Sequence, residues 1–194
     1  MRELQAIKTY VEQLYTTKAY TELVYHNLKH TQQVVKRVQE MAMFYGLDQQ
    51  DQFIVSTAAW FHDCGHLFGE TTLHEEKSVA IMKSYFENKE IAQVTIKAIE
   101  ECIMVTKPGA VPKTLLQKII ADADTYHVGT TEFTNCDENV WRELELRTKK
   151  PVLSKIEKSI KFLEEHVFHT DYCKSKITKI KNYNYCKLKR KTRE

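Results

Sequence analysis

Apolar residues recur at spacings of three and four through almost every stretch of this chain, and no run alternates convincingly at period two. That periodicity is the mark of amphipathic helices, and it commits the chain to an all-α architecture. Leu4, Ile7, Val11 and Leu14 make a first stripe; Val34, Val35, Val38, Met41, Ala42 and Tyr45 make a second, stopped by Gly46. Asp48 is placed to cap a third helix running through Phe53, Ile54, Ala58, Trp60 and Phe61 toward Gly65, where it could end. Further helices are expected along Val79, Met82 and Phe86, and from an Asn88 cap through Ile91, Val94, Ile99, Cys102 and Ile103. Another follows Leu115, Leu116, Ile119, Ile120, Ala123 and Tyr126, after the loop marked by Lys107-Pro108-Gly109 and Pro112. The last two lie around residues 133–146 and 156–167, with Pro151 placed to open the second. A single bundle of about seven to nine helices is the expectation. The composition agrees, because five glycines and three prolines are too few for a many-turned β fold.

No window approaches 18 apolar residues, and Met1-Arg2-Glu3-Leu4-Gln5 opens no signal stretch, so a cytoplasmic protein with no membrane span is expected. The five cysteines (64, 102, 136, 173 and 186) are odd in number and form no CxxC pair, which favours reduced thiols. The net charge of +3 is unevenly spread: residues 174–194 hold nine of the 29 Lys and Arg and one of the 26 acids. Residues 1–173 are therefore expected to form an acidic folded domain, and 174–194 a basic, solvated tail. The acidic body and the lack of aromatic–basic interleaving disfavour a nucleic-acid partner. A homo-oligomer is compatible with the sequence.

The histidines carry the chemical signal. Eight in 194 residues predict roughly 0.3 pairs at i,i+4 by chance. The chain has two such pairs, His26/His30 and His62/His66. On one helix face, residues four apart reach a common ion or substrate group. Imidazole is the commonest metal ligand and a general acid or base at neutral pH. Asp63 follows the apolar Ala58-Ala59-Trp60-Phe61, so its carboxylate is expected at a buried or cleft-floor position, where a divalent cation is a good partner. One more acid would complete the set. Asp122 and Asp124 both flank the apolar stripe of their helix, about 200° apart, and periodicity does not choose between them.

The run Tyr25-His26-Asn27 to His30, then Phe61-His62-Asp63 to His66, then Ala123-Asp124, resembles the HD superfamily of metal-dependent phosphohydrolases over roughly residues 20–130. The resemblance implies an all-helical HD domain in which His30, His62, Asp63 and Asp124 ligate a divalent metal. It selects Asp124 because that acid follows a small residue and precedes Thr125-Tyr126; Asp122 is then expected to support the site or face solvent. Tyr25-His26-Asn27 with His30 also resembles the signature of cyclic-nucleotide phosphodiesterases, which implies a general-acid role for His26 and gives His66 a matching position. His74-Glu75-Glu76 with Ser78 resembles a segment that supplies a second-metal histidine in dinuclear members. Those members need a further histidine where this chain has Val105-Thr106-Lys107. His74 and Glu75 are thus candidates for a second metal or for catalysis, while Glu75 and Glu76 also suit a helix first turn.

Two imidazoles and two carboxylates would accept Mn²⁺, Fe²⁺, Zn²⁺, Ni²⁺, Co²⁺ or Mg²⁺ with positions left for water. Asp63 could accept the water proton, and His26 or His66 could protonate the leaving oxygen. Lys29, Lys107, Arg142 and Arg147 are candidates for gripping phosphate, although such cations are more often plain surface charges. The expected activity is hydrolysis of a phosphate ester of a nucleotide or related small molecule. A cyclic-nucleotide phosphodiesterase and a non-catalytic metal- or nucleotide-binding sensor are the alternatives.

Overall fold

The computed structural model describes residues 2–18, 20–69 and 72–192. Among these there are nine α-helices, two short 3-10 segments and no strand. The helices are α1 (Arg2–Thr17), α2 (Leu28–Phe44), α3 (Gln49–Phe61), α4 (His74–Phe86) and α5 (Gln93–Met104), then α6 (Leu115–Asp124), α7 (Phe133–Thr148), α8 (Lys155–Glu165) and α9 (Asp171–Lys191). The 3-10 segments are Cys64–Phe68 and Tyr126–Gly129.

Helix α3 is the axis of the molecule, packed by α1, α2, α5 and α6. Every residue from Ile54 to Phe61 is buried, as expected of a helix that is apolar or small on all sides. Its N-terminus is held as expected: the Asp48 side chain accepts from the Asp51 N–H. Tyr45 ends α2 and Gly46 follows at φ +61°, a left-handed turn that favours glycine. Helix α6 opens on a capping box, with Thr114 accepting from the Gln117 N–H and the Gln117 side chain accepting from the Thr114 N–H.

Other expected boundaries move. Helix α5 begins at Gln93 after Ala92, not at Asn88, because Lys89–Ile91 are spent in a turn in which the Ile91 N–H donates to the Lys89 carbonyl. Val94, assigned to the apolar stripe, is exposed. Pro151 does not open α8: the chain turns first through Lys149 and Ser154, both at φ 55°, and Ser154 immediately precedes the helix. Gly65 is not a helix terminator either, since α3 has already ended at Phe61. Its role is close approach, because a Cβ there would lie 1.9 Å from the His74 carbonyl oxygen.

The end of the chain is the largest departure. Instead of a solvated tail from Lys174, α9 runs to Lys191 with Ile177, Asn184 and Leu188 buried against α8 and the 126–129 segment. Its lysines occupy the outer face, which is why composition alone suggested a frayed end. Arg193 and Glu194, the last residues of the expected tail, and Met1 of the expected domain, lie outside the described residues. Gly129 admits the contact, since a Cβ there would sit 2.7 Å from Ile177 Cβ. All five cysteines are unpaired. No described helix is long and apolar enough to cross a membrane.

Candidate metal centre

The central helix delivers the first two donors. Because α3 ends at Phe61, His62 sits at its C-cap and Asp63 in the turn beyond, both buried. His62 Nδ1 donates to the Ala59 carbonyl at 2.8 Å, which leaves Nε2 to face the centre. His30 comes from the first turn of α2, whose N-cap Asn27 accepts from the Lys29 and His30 N–H groups. Asp124 is the last residue of α6.

These four residues converge. His30 Nε2 lies 3.1 Å from Asp124 Oδ1 and 3.4 Å from Asp63 Oδ2. His62 Nε2 lies 3.2 Å from Asp63 Oδ2 and 3.6 Å from Asp124 Oδ1. Donors bound to one ion at about 2.0–2.2 Å stand about this far apart. His62 Nε2 and Asp63 Oδ2 are buried with no hydrogen-bond partner, a costly state that a shared cation relieves. The electrostatics agree. Burial alone would raise the Asp63 and Asp124 pKa values, yet the neighbouring imidazoles hold both below the usual carboxylate range. Burial would lower that of His62, yet Asp63 and Asp124 hold it well above the ordinary histidine value. The arrangement favours positive charge at its centre.

Neither histidine pair lies on one helix, contrary to the expectation. His26 precedes α2, and His62 and His66 are separated by the end of α3 and the start of the 3-10 segment. The donors meet because the chain bends at both places. His66 is stacked against two other imidazoles, with its centroid 4.2 Å from that of His26 and 3.9 Å from that of His74. Asp63 Oδ1, the oxygen turned away from His62, lies 3.9 Å from His66 Nε2 and 4.0 Å from His74 Nε2. Asp63, His66 and His74 thus form a second group that could hold an ion. Glu75 is buried beside them, 3.3 Å from His74 Nε2.

Two site residues escaped the sequence. Glu143 on α7 is buried, and its Oε1 lies 2.6 Å from His26 Nδ1. Its Oε2 accepts from the Tyr25 and His26 N–H groups at 2.8 and 2.9 Å. Burial would lower the His26 pKa, but this hydrogen bond and the charges of Asp63, Glu143 and Asp124 raise it overall. His127 takes the Tyr25 hydroxyl at its Nδ1, 3.0 Å away, and Tyr25 in turn packs on the His30 ring. Burial and then the His30 charge push the His127 pKa down to about 4. The only sequence signals were the placement of His127 three residues after Asp124 and the i,i+4 spacing of Glu143 and Arg147.

The candidate phosphate grips fare unevenly. Lys29 is exposed on the rim of a cavity of about 430 Å³ that reaches His30 and Asp124. Lys107 is paired with Glu76, and Arg142 is exposed on α7. Arg147 is turned inward: its Nη1 lies 2.7 Å from His66 Nδ1 and its Nη2 donates to the Gly69 carbonyl, so its fork is already occupied. A second cavity, about 510 Å³, reaches the cluster from the side of His66 and Arg147. Asp122, expected to support the site or face solvent, is fully buried and points the other way. It accepts from the His169 N–H, the Thr170 N–H and the Thr170 hydroxyl, and so clamps the loop that leads into α9.

A family model described as the HD domain matches residues 27–129. No curated protein and no solved structure matches the chain.

Proposed function

The chain belongs to the HD-domain family, a superfamily of metal-dependent phosphohydrolases, and from that premise we propose that it hydrolyses a phosphate ester of a nucleotide or a related small molecule. The observation that carries this reading is the meeting of His30, His62, Asp63 and Asp124 around orphaned, buried donor atoms. Those four would hold a divalent cation, which when bound supplies charge for the phosphoryl oxygens and an acidified water.

The chain's own groups do the rest. Asp63 Oδ1, free of the contact to His62, accepts the proton of the attacking water. His26, its Nδ1 fixed by Glu143, gives the proton on Nε2 to the leaving oxygen. Two cavities reach the cluster, about 430 Å³ at His30 and Asp124 and about 510 Å³ at His66 and Arg147, and each is large enough for a mononucleotide-sized ligand. The walls of the first carry Lys29 and Lys36 for anionic groups, with Arg37 beside them but paired to Glu40, and Asn135 and Asn139 for hydrogen-bonding ones.

The test is metal analysis of the purified protein, followed by phosphate-release assays on nucleoside mono-, di-, tri- and cyclic phosphates, with and without chelator. Release that needs re-added metal is the expected result. Full activity in chelated protein, or no turnover of any phosphate ester by the metal-loaded chain, refutes the proposal.

A further inference from the structure

Helix α7 reaches the imidazole stack with two side chains of opposite character, one turn apart. Glu143 offers His26 Nδ1 an acceptor. Arg147 offers His66 Nδ1 a donor at 2.7 Å, while its Nη2 is anchored on the Gly69 carbonyl and its side chain is more than nine-tenths buried. A guanidinium has five N–H donors and no acceptor, and it keeps its charge in proteins. The imidazole nitrogen facing it must therefore accept, with no hydrogen of its own. An imidazole with a bare Nδ1 carries its hydrogen on Nε2. The His26 and His74 rings, both stacked against His66, oppose rotation that would exchange its two nitrogens. His66 Nε2 is itself buried without a hydrogen-bond partner. Asp63 Oδ1, at 3.9 Å, is too far to accept from it. A buried N–H without an acceptor, aimed into a site, asks for one from a ligand.

We propose that Arg147 is a positioning residue that keeps the His66 hydrogen on Nε2, so that His66 serves as a neutral hydrogen-bond donor to an anionic oxygen of the bound phosphate ester. The phosphohydrolase reading supplies only the identity of that acceptor. A nitrogen that carries hydrogen has no lone pair for an ion, so the Asp63–His66–His74 group loses its middle ligand. The centre then holds one cation, on the other side of Asp63.

The primary test needs neither metal nor turnover. In metal-free, ¹⁵N-histidine-labelled protein, long-range ¹H–¹⁵N spectra read which ring nitrogen of each histidine bears hydrogen, and His66→Gln assigns the His66 signals. The expected pattern is a bare Nδ1 and a protonated Nε2. Hydrogen on Nδ1, or on both nitrogens, overturns the proposal. The unsubstituted chain thus decides even if a variant fails to fold. Arg147→Met should shift the hydrogen toward Nδ1, and Arg147→Lys, which keeps a donor, should retain the original pattern; no change in Arg147→Met also overturns it. Titration with Mn²⁺ should show one equivalent per chain, and a second equivalent abolished by His66→Gln would contradict the assignment. If phosphate release is found, Arg147→Met should lower kcat about 10-fold or more at unchanged metal content, with partial recovery in Arg147→Lys. An unaltered kcat would remove the functional role while leaving the phosphohydrolase reading intact.

Discussion

Asp122 and Asp124 stand two residues apart on α6 and face opposite tasks, so the same substitution at each should have opposite consequences. Asp124→Asn removes charge from an oxygen that lies 3.1 Å from His30 Nε2. It should abolish metal retention. Asp122→Asn acts on the clamp before α9. The amide keeps one oxygen for the His169 N–H but turns an NH₂ toward the Thr170 N–H, which it cannot accept, and it removes charge from the other contacts. Hydrogen bonds to charged groups contribute about 1.5–3 kcal/mol each. One bond lost and the rest weakened therefore costs about 2–3 kcal/mol. For a chain of this size each kcal/mol moves the melting temperature by about 2–4 °C, so the fall should be about 4–12 °C. The assay is calorimetric melting in chelator, paired with metal content after dialysis against Mn²⁺. If Asp122→Asn strips the metal while the melting temperature stays put, the orientation of α6 described above is wrong.

His26→Ala should keep the metal while lowering turnover, least for substrates with good leaving groups; loss of metal from that variant would show His26 to be a ligand. Glu143→Gln removes the interaction that raises the His26 pKa, and a proton donor works only while protonated. The alkaline limb of the pH–rate profile should therefore move to lower pH, and a limb that stays in place would detach Glu143 from His26. Gly65→Ala drives a methyl into the His74 carbonyl and should destabilise the 64–68 segment by about 1–3 kcal/mol, typical of overpacking. Melting in chelator checks it, with no loss of stability as the refuting result.

Periodicity located the helices that bury one apolar stripe, as α1 and α2 do, while α3, buried on all sides from Ile54 to Phe61, was legible from its Asp48 cap and its apolar run. Boundaries were less legible where turn geometry, not hydrophobicity, decides them: Asn88 and Pro151 have the chemistry of helix starts, but the chain uses them inside turns. The proposed ligand set could be picked out because His30, His62, Asp63 and Asp124 stand in the order of the family motif, whereas the helix-face argument for the pairs His26/His30 and His62/His66 did not hold, since neither pair shares a helix. Glu143 was invisible for a different reason. Its importance comes from burial and from a contact 117 residues back to His26, neither of which leaves a local trace. The basic end was misjudged because lysines on the outside of α9 mask Ile177, Asn184 and Leu188 on its inside.

The stretch that matches the family, residues 27–129, contains all four proposed ion donors, but Glu143 and Arg147 lie beyond it, and His26 just before it. The residues proposed for ion capture and those proposed for proton placement thus fall on different stretches of the polypeptide. A transplant of the matched stretch into another helical host would carry the four proposed donors, without the two α7 side chains proposed to set which imidazole nitrogens hold hydrogen. Conversely, exchanging α7 alone would remove the partners of His26 and His66 while leaving the four proposed ion donors in the chain.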